Sequence, residues 1–529
     1  MNSSIVNASH WADIYAERIV REKGEKAQYT CASGITPSGT VHIGNFREII
    51  SVDLVVRSLR SRGKTVRFLY SWDDYDVFRK VPKNMPNQAQ LEEHLRWPIT
   101  LVPDPWGKES SYARANEADL ERLLSTVGIE PEYIYQAARY RSSVYAEGIR
   151  TALEKREAIR EILNRHRTEP LAADWWPVSV FSNFTNTDNT TVLGWDDAYG
   201  LTYRCEDSGK TETVDLRTTA AVKLPWRIDW PMRWAHEGVD FEPAGKDHHS
   251  EGGSFDTAKL LCKDIYGVDA PVSFQYDFIS IKGRGGKISS SSGEVVSLSD
   301  VLEVYEPAVT RYLFAGTRPN TEFAISFDLD VIKIYEDYDR TERIYYGSED
   351  VGEKRRAKEA RIYELSQVDR PQADMPFQAP FRHLCNILQI VDGDIAKALG
   401  MIPGVREADL KRLTCRAECA WNWITRFAPE DFRYTLRTPQ SEPIPVDEAC
   451  RKAIVLLAQE LSTRFSDHDE KSLSESIYRV AGEAGVDPKE FFTVMYRVLV
   501  GKERGPRLAG FILTIGRDRM LELLRGYIE

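Results

Sequence analysis

The sequence predicts an α/β protein: a Rossmann-type parallel-sheet catalytic domain interrupted by an insertion and followed by an all-α C-terminal domain. Three observations carry this. Apolar, β-branched runs alternate with helix-period segments near the N-terminus; the alternation lapses from about 95 to 215 and resumes near 239; and from about 298 onward helical spacing runs to the end.

The elements follow in order. "AQYTCASGI" (27–35) has strand character, and "VHIGNFREIISVDLVVRSLRSRG" (41–63) spaces its apolar residues as a helix does. "KTVRFLYSWDD" (64–74) is strand-like again, so the three form a strand–loop–helix–strand unit, which favours a parallel sheet. The stretch containing "FSNFTNTDNTTVLGWDDAYG" reads as an irregular insertion with short strands. "VDFEPAG" marks a strand end, "GGSFDTAKLLCKDIYG" a helix closed by Gly267, and "PVSFQYDFISI" another strand. A Gly/Ser loop follows at 282–294, then helices such as "KAIVLLAQELSTRF". The expected boundaries are 1–94 and 216–297 for the catalytic domain, 95–215 for the insertion, 298–350 for a connecting region and 351–529 for the helical domain.

Composition narrows the class. With 529 residues, 42% hydrophobic and 29% charged, the chain reads as soluble and multidomain. No apolar stretch reaches the ~18 residues of a membrane span, and the start lacks a secretory signal, so a cytoplasmic protein is expected. Seven scattered cysteines do not look like a disulfide framework. A net charge of −11 argues against a surface coated for nonspecific nucleic-acid binding, though not against local patches. One such run, "EKRRAKEAR", reads as a solvated helix face.

Four stretches could carry chemistry. In "SGITPSGTVHIGN" a small-residue loop enters a helix, so backbone N–H groups could meet a phosphate, with His42 as donor and Gly44 allowing approach; an ordinary turn is the alternative. "GRGGKISSSSG", with Arg284 and Lys287, could close over a polyphosphate or be a surface loop. In "AGKDHHSEGGS" Asp247 is placed to bind ribose hydroxyls; His248 and His249 lack further partners for a metal. "SWDDYD" puts Asp73, Asp74 and Asp76 after a strand, for an ammonium, for Mg²⁺, or as a solvated turn.

Taken together, "GITPSGTVHIGNFRE", "SWDDYD", "DWPMRW", "AGKDHHSEGGS", "GKISSSSGEV" and "RTERIYYG" resemble the class I type of lysyl-tRNA synthetase. "HIGN" and "KISSS" are similar to the HIGH and KMSKS signatures of class I aminoacyl-tRNA synthetases, and the resemblance spans roughly residues 10 to 350. It implies that lysine is activated with ATP as a Mg²⁺ complex and passed to the 2′-OH of the terminal adenosine of tRNA(Lys), the protein acting as a monomer off the membrane. His42, Asn45 and Lys287 would be catalytic; Pro37, Gly44, Gly245, Asp247, Ser289 and Ser290 would join them around ATP. Lysine would meet Gly34, Thr36, Trp226, His248 and Tyr276, with Asp73 or Asp74 added here for its ε-ammonium, because a buried cation needs a carboxylate. The resemblance makes 298–350 a stem-contact region and the helical domain 351–529 anticodon-binding, with Trp421, Trp423 and Arg426 as candidates for the anticodon.

The sequence departs from the family in two places. Asn45 stands for the second histidine of HIGH, and Ser290 for the second lysine of KMSKS. Relatives often pair cysteines in the insertion as zinc ligands; here Cys205 stands alone, so no structural zinc and no other resident metal is expected. Cys415 and Cys419 read as core. Two rival readings are an acyl-adenylate-forming ligase with a non-tRNA acceptor and a noncatalytic relative that binds lysine or tRNA.

Overall fold

The computed structural model describes residues 10–283 and 295–528. The chain divides into two compact units. The first runs to Val301 and adds Pro307–Ile325 and Gly347–Pro371; the second takes Leu302–Glu306, Ser326–Tyr346 and the chain from Gln372.

In the first unit a leading helix α1 (Trp11–Lys23) precedes β1 (Tyr29–Ile35), α2 (Ile43–Ser61) and β2 (Val66–Trp72). β1 and β2 pair in parallel along their whole length, from Tyr29 opposite Val66 to Ile35 opposite Trp72. Both faces of such a sheet are covered, which is why its strands read as near-continuous apolar runs. A third parallel strand, β3 (Glu132–Tyr135), lies outside β2. This strand comes from the stretch expected to be insertion; only four residues long, it has too little pattern to be seen in sequence. On the other side of β1, Phe241 bridges Cys31 in parallel and Val272 bridges Phe241. Those two segments continue as β4 (Ala244–Gly245) and β5 (Gln275–Tyr276), again parallel. The parallel order is therefore 3-2-1-4-5, and its direction reverses beside β1.

Between β3 and β4 come a three-stranded antiparallel meander (Thr190–Trp195, Gly200–Cys205, Thr211–Asp215) and helix α3 (Trp226–Glu237). Helix α4 (Ser254–Asp264) follows β4, and Gly267 takes a φ of +74° beyond it, as the expected closure requires. The basic run at 353–361 forms part of the helix Glu353–Ser366, which belongs to the first unit rather than to the C-terminal domain. There Arg361 ion-pairs with Asp13 at 2.7 Å, so this residue is a tie and not a solvated charge.

The second unit is helical. Asp447, Asp469 and Asp487 accept backbone N–H groups at three helix starts, and Gly485 and Gly501 end two helices in the left-handed conformation. Leu457, Leu461, Ile477, Phe491, Met495, Ile512 and Leu524 build its apolar core. A buried charge cluster accompanies it: Arg416 pairs with Glu306 at 2.6 Å and Asp339 at 2.8 Å.

Candidate active site

A cavity of about 960 Å³ opens at the carboxyl ends of β1 and β4, where the strand order reverses. Ligands of open α/β sheets bind at this reversal, because the loops leaving neighbouring strands part there. Of the residues singled out in the sequence, Thr36, His42, Gly44, Asn45, Asp73, Trp226, Gly245, Asp247, His248 and Tyr276 line this one cavity. Gly34, Pro37 and Asp74 do not line it. Lys287, Ser289 and Ser290 lie outside the described residues.

His42 stands at the N-cap of α2 in extended backbone, and its N–H donates to Asn45 Oδ1 at 3.2 Å. Asn45 thereby shapes the helix start from within its first turn. Gly44 has a steric reason: a Cβ there would come 2.8 Å from His42 Nδ1, so glycine makes room for the imidazole. The N–H of Ile43 donates to the Val296 carbonyl at 2.8 Å, and His42 bridges Ser297. The segment that follows the Gly/Ser loop is thus fastened to the HIGN turn.

The paired aspartates after β2 are both engaged. Asp73 accepts from Arg233 Nη1 at 2.6 Å and from Ser71 Oγ at 3.2 Å. Arg233, itself buried, also ion-pairs with Asp229 at 3.2 Å. Asp74 is buried and accepts the Ala137 N–H at 2.7 Å, which pushes its carboxyl down, but burial dominates and raises it to about 6. Burial and the nearby Asp74 also push the Glu117 carboxyl up to about 8. The expectation that Asp73 or Asp74 faces an ammonium therefore meets a carboxylate already held by a guanidinium and one turned into the backbone.

A third carboxylate escaped the sequence reading. Glu48, one turn into α2, accepts from Ser33 Oγ at 2.9 Å and Gly34 N at 3.2 Å through Oε1, and from the Tyr276 hydroxyl through Oε2. It forms no ion pair among the described residues, and burial raises its carboxyl despite three donors. Among the described residues this carboxylate has no cation beside it, and a ligand can supply one. Gly34 acts here through its N–H, and a Cβ on it would come 2.8 Å from the Ser71 carbonyl of the neighbouring strand. The sequence signal for Glu48 is weak: an acidic residue in the first half of α2, with Asn45 and Ser51 on the same face.

Above it, α3 presents Trp226, Trp230 and Trp234 at four-residue spacing. Trp226 stacks on Trp230 with ring centroids 4.9 Å apart and is 40% exposed. The indoles of Trp230 and Trp234 donate to Glu242 at 3.0 and 2.7 Å, and burial with the nearby Glu48 lifts that carboxyl to about 7. His248 Nδ1 lies 2.6 Å from Ser254 Oγ.

Elsewhere the structure corrects an expectation. Trp423 is fully buried, its indole donating to the Phe327 carbonyl at 2.9 Å, so it cannot stack on a base. Trp421 packs over Gly393, where a Cβ would come 2.3 Å from the ring, and Arg426 pairs with Glu303. Cys419 is buried and Cys415 half-buried on the same helix. Thr185 Oγ1 lies 3.5 Å from Cys205 Sγ; burial pushes this thiol up, but hydrogen bonds with Ser182, Ser208 and Thr185 together outweigh it and lower the thiol to about 7. Among the described residues the metal-type side chains that converge are Asp447, Cys450 and Glu490 in the second unit, and Asp447 is already spent capping a helix.

A site at the reversal of a 3-2-1-4-5 parallel sheet, with a helix N-terminus on one wall, makes the first unit a nucleotide-binding α/β domain. The comparison with known families is narrower: the chain belongs to the class I tRNA synthetases, through the family described as "tRNA synthetases class I (K)", whose model matches residues 9–369. The chain is 55% identical to a lysine–tRNA ligase of Borreliella burgdorferi over 99% of its own length and 100% of that protein's. It is 54% identical to a lysine–tRNA ligase of Treponema pallidum, covering 98% of each, and 41% identical to one of Pyrococcus horikoshii, covering 98% and 99%.

Proposed function

We propose that the protein joins L-lysine to the 2′-OH of the terminal adenosine of tRNA(Lys) with ATP, as a class I lysine–tRNA ligase. The observation that carries the lysine assignment is the half-buried Glu48 carboxylate, cation-free among the described residues and tied to the cavity wall through Tyr276. Relatives at up to 55% identity over the full length support the reaction.

In the first step a lysine carboxylate oxygen attacks the α-phosphorus of ATP, a new P–O bond forms, and pyrophosphate leaves. In the second the ribose hydroxyl attacks the lysyl carbonyl, the hydroxyl proton is lost, and AMP departs. Such phosphoryl transfer asks the protein for position and charge rather than a nucleophile. On this reading Glu48 and Tyr276 receive the ε-ammonium, and Trp226 covers the butyl chain. His42 and Asn45 order the α2 N-terminus against phosphate, and Asp247 takes ribose hydroxyls. Lys287, Ser289 and Ser290 belong to the same proposal from sequence alone. Mg²⁺ fits as an ion carried in on the phosphates: among the described residues the cavity offers a single carboxylate such as Asp76 rather than a converging cage, and Mg²⁺ keeps waters and needs only one or two. Among the described residues no helix is long and apolar enough to cross a membrane.

The test is charging of purified tRNA with radiolabelled lysine, with tRNA-free controls. Lysyl-tRNA is expected. Adenylate formed and then released to another acceptor would favour the non-tRNA ligase, and lysine or tRNA binding without either step would favour the noncatalytic relative.

A further inference from the structure

Glu242 does not line the catalytic cavity. It is buried in the segment that leads into β4, where its N–H donates to the Val272 carbonyl at 3.1 Å. Oε1 accepts from the Trp230 indole at 3.0 Å and Oε2 from the Trp234 indole at 2.7 Å. Both rings leave one face of α3, four residues apart. An ionised carboxylate has two acceptor oxygens and no donor, so it serves two N–H groups at once, whereas an amide offers only one oxygen.

The two anchored indoles are the inner members of a ladder of three. The Trp230 ring centroid lies 4.6 Å from that of Trp234 and 4.9 Å from that of Trp226. Phe255 of α4 packs against the inner pair at 5.9 and 5.6 Å, and His248 meets Trp230 edge-on at 6.0 Å. Of the three tryptophans, Trp226 is the one that lines the catalytic cavity. Its side chain makes no hydrogen bond among the described residues; it rests on Trp230 and has the Arg233 guanidinium 5.5 Å from its ring. Ring stacking tolerates offset and tilted arrangements, whereas an N–H···O bond weakens steeply as it bends. The directional fix on the ladder therefore comes from Glu242 and not from the stack.

We infer that Glu242 is a positioning residue for the lysine pocket: by accepting from both indoles it fixes the Trp230 ring, and through the Trp226–Trp230 stack it sets the aromatic wall that covers the butyl chain. The inference rests on the lysine–tRNA ligase reading and adds a residue that governs lysine binding from behind the wall, without touching the substrate. Its part differs from that of Glu48. The two oxygens of Glu242 are taken by indoles, whereas the ε-ammonium is assigned to Glu48 and Tyr276. Arg233 keeps its pairs with Asp73 and Asp229 whatever stands at 242, so losing the Glu242 acceptors loosens Trp226 without releasing those acids.

The experiment uses the full chain at about pH 8, above the value of about 7 to which burial and Glu48 raise this carboxyl. Glu242→Gln keeps the size but sets an NH2 group against one indole N–H. KM for lysine is expected to rise about fivefold to tenfold, the scale of one buried donor left without an acceptor. The constants for ATP and tRNA and the charging kcat should stay within about twofold, because the wall binds lysine alike in the ground and transition states. Trp226→Ala should weaken lysine binding by a smaller factor in the Glu242→Gln background than in the parent, since the two residues act through one stack. Trp234→Phe/Glu242→Gln removes the stranded N–H and leaves the amide oxygen to Trp230, so it should recover part of the lysine constant. Should Glu242→Gln fail to fold, Trp230→Phe takes its place: it keeps a ring under Trp226 but offers Glu242 no N–H, and a lysine constant about threefold higher or more is expected. An unchanged lysine constant in whichever of these two single variants folds, a rise shared equally by ATP, full additivity with Trp226→Ala, or a double variant no better than Glu242→Gln would overturn the inference. Failure of the parent to charge any tRNA would instead sink the functional reading beneath it.

Discussion

Arg233 holds Asp73 with 2.6 Å between Nη1 and Oδ1, and turns Nε to within 3.2 Å of Asp229. One buried guanidinium thus pairs with two carboxylates on the cavity wall, joining the end of β2 to the middle of α3. The bidentate reach matters, since a lysine at this position could meet only one of the two well. This pairing decides which acid is left for a cationic substrate.

Removing the guanidinium should therefore be felt in stability first. Arg233→Met leaves Asp73 and Asp229 buried together without a cation, and a loss of about 3–5 kcal/mol is expected. Urea denaturation measures it, and Arg233→Lys should recover only part. A methionine variant as stable as the parent would mean that the two acids do not depend on Arg233.

Glu48 should control the lysine constant. Glu48→Gln keeps the shape but loses the charge, and KM for lysine is expected to rise about 100-fold with ATP little affected, the scale of a lost charged hydrogen bond of ~3 kcal/mol. Asp73→Asn should change the same constant by much less. Burial raises the Glu48 carboxyl, so the ionised form needed to hold an ammonium is lost as pH falls through that raised value. Lysine binding should weaken on acidification in the parent, and this dependence should disappear in Glu48→Gln. Equal effects of the two substitutions would reject Glu48 as the cation's partner.

Asp74 makes a prediction about pH and stability. Burial raises its carboxyl from 3.8 to about 6, so between those values the folded protein keeps a proton that the unfolded chain gives up. Stability from this group is thus full below about pH 4, falls as pH rises through the window to 6, and stays lower above it, by roughly 2–3 kcal/mol. Asp74→Asn retains an acceptor for the Ala137 N–H and carries no charge. The variant should gain on the parent at pH 8 and lose that gain at pH 4, as read from urea midpoints at the two values.

The sequence by itself determined the class of fold, the order of strands and helices around the HIGN turn, and part of the set of residues gathered in the cavity. The fold and the HIGN turn were legible because they rest on local rules, namely apolar period, turn residues and a helix start next to a strand end, whereas Thr36, Trp226 and Tyr276 were implied by the family resemblance alone. The short strand β3 was not legible, since four residues carry no period and their place is set by pairing with Leu69–Trp72. Nor could the sequence distinguish Asp73 from Glu48. Both are acids near the right loop, and only the tertiary structure, by bringing Arg233 from α3 to one and Tyr276 from β5 to the other, pairs the first with a cation and leaves the second without one among the described residues. Trp423 shows the same limit from the other side: an aromatic residue on a helix can face solvent or core, and packing sealed this one away. Charge compensation and burial are properties of neighbours in space, and the chain order does not state who those neighbours are.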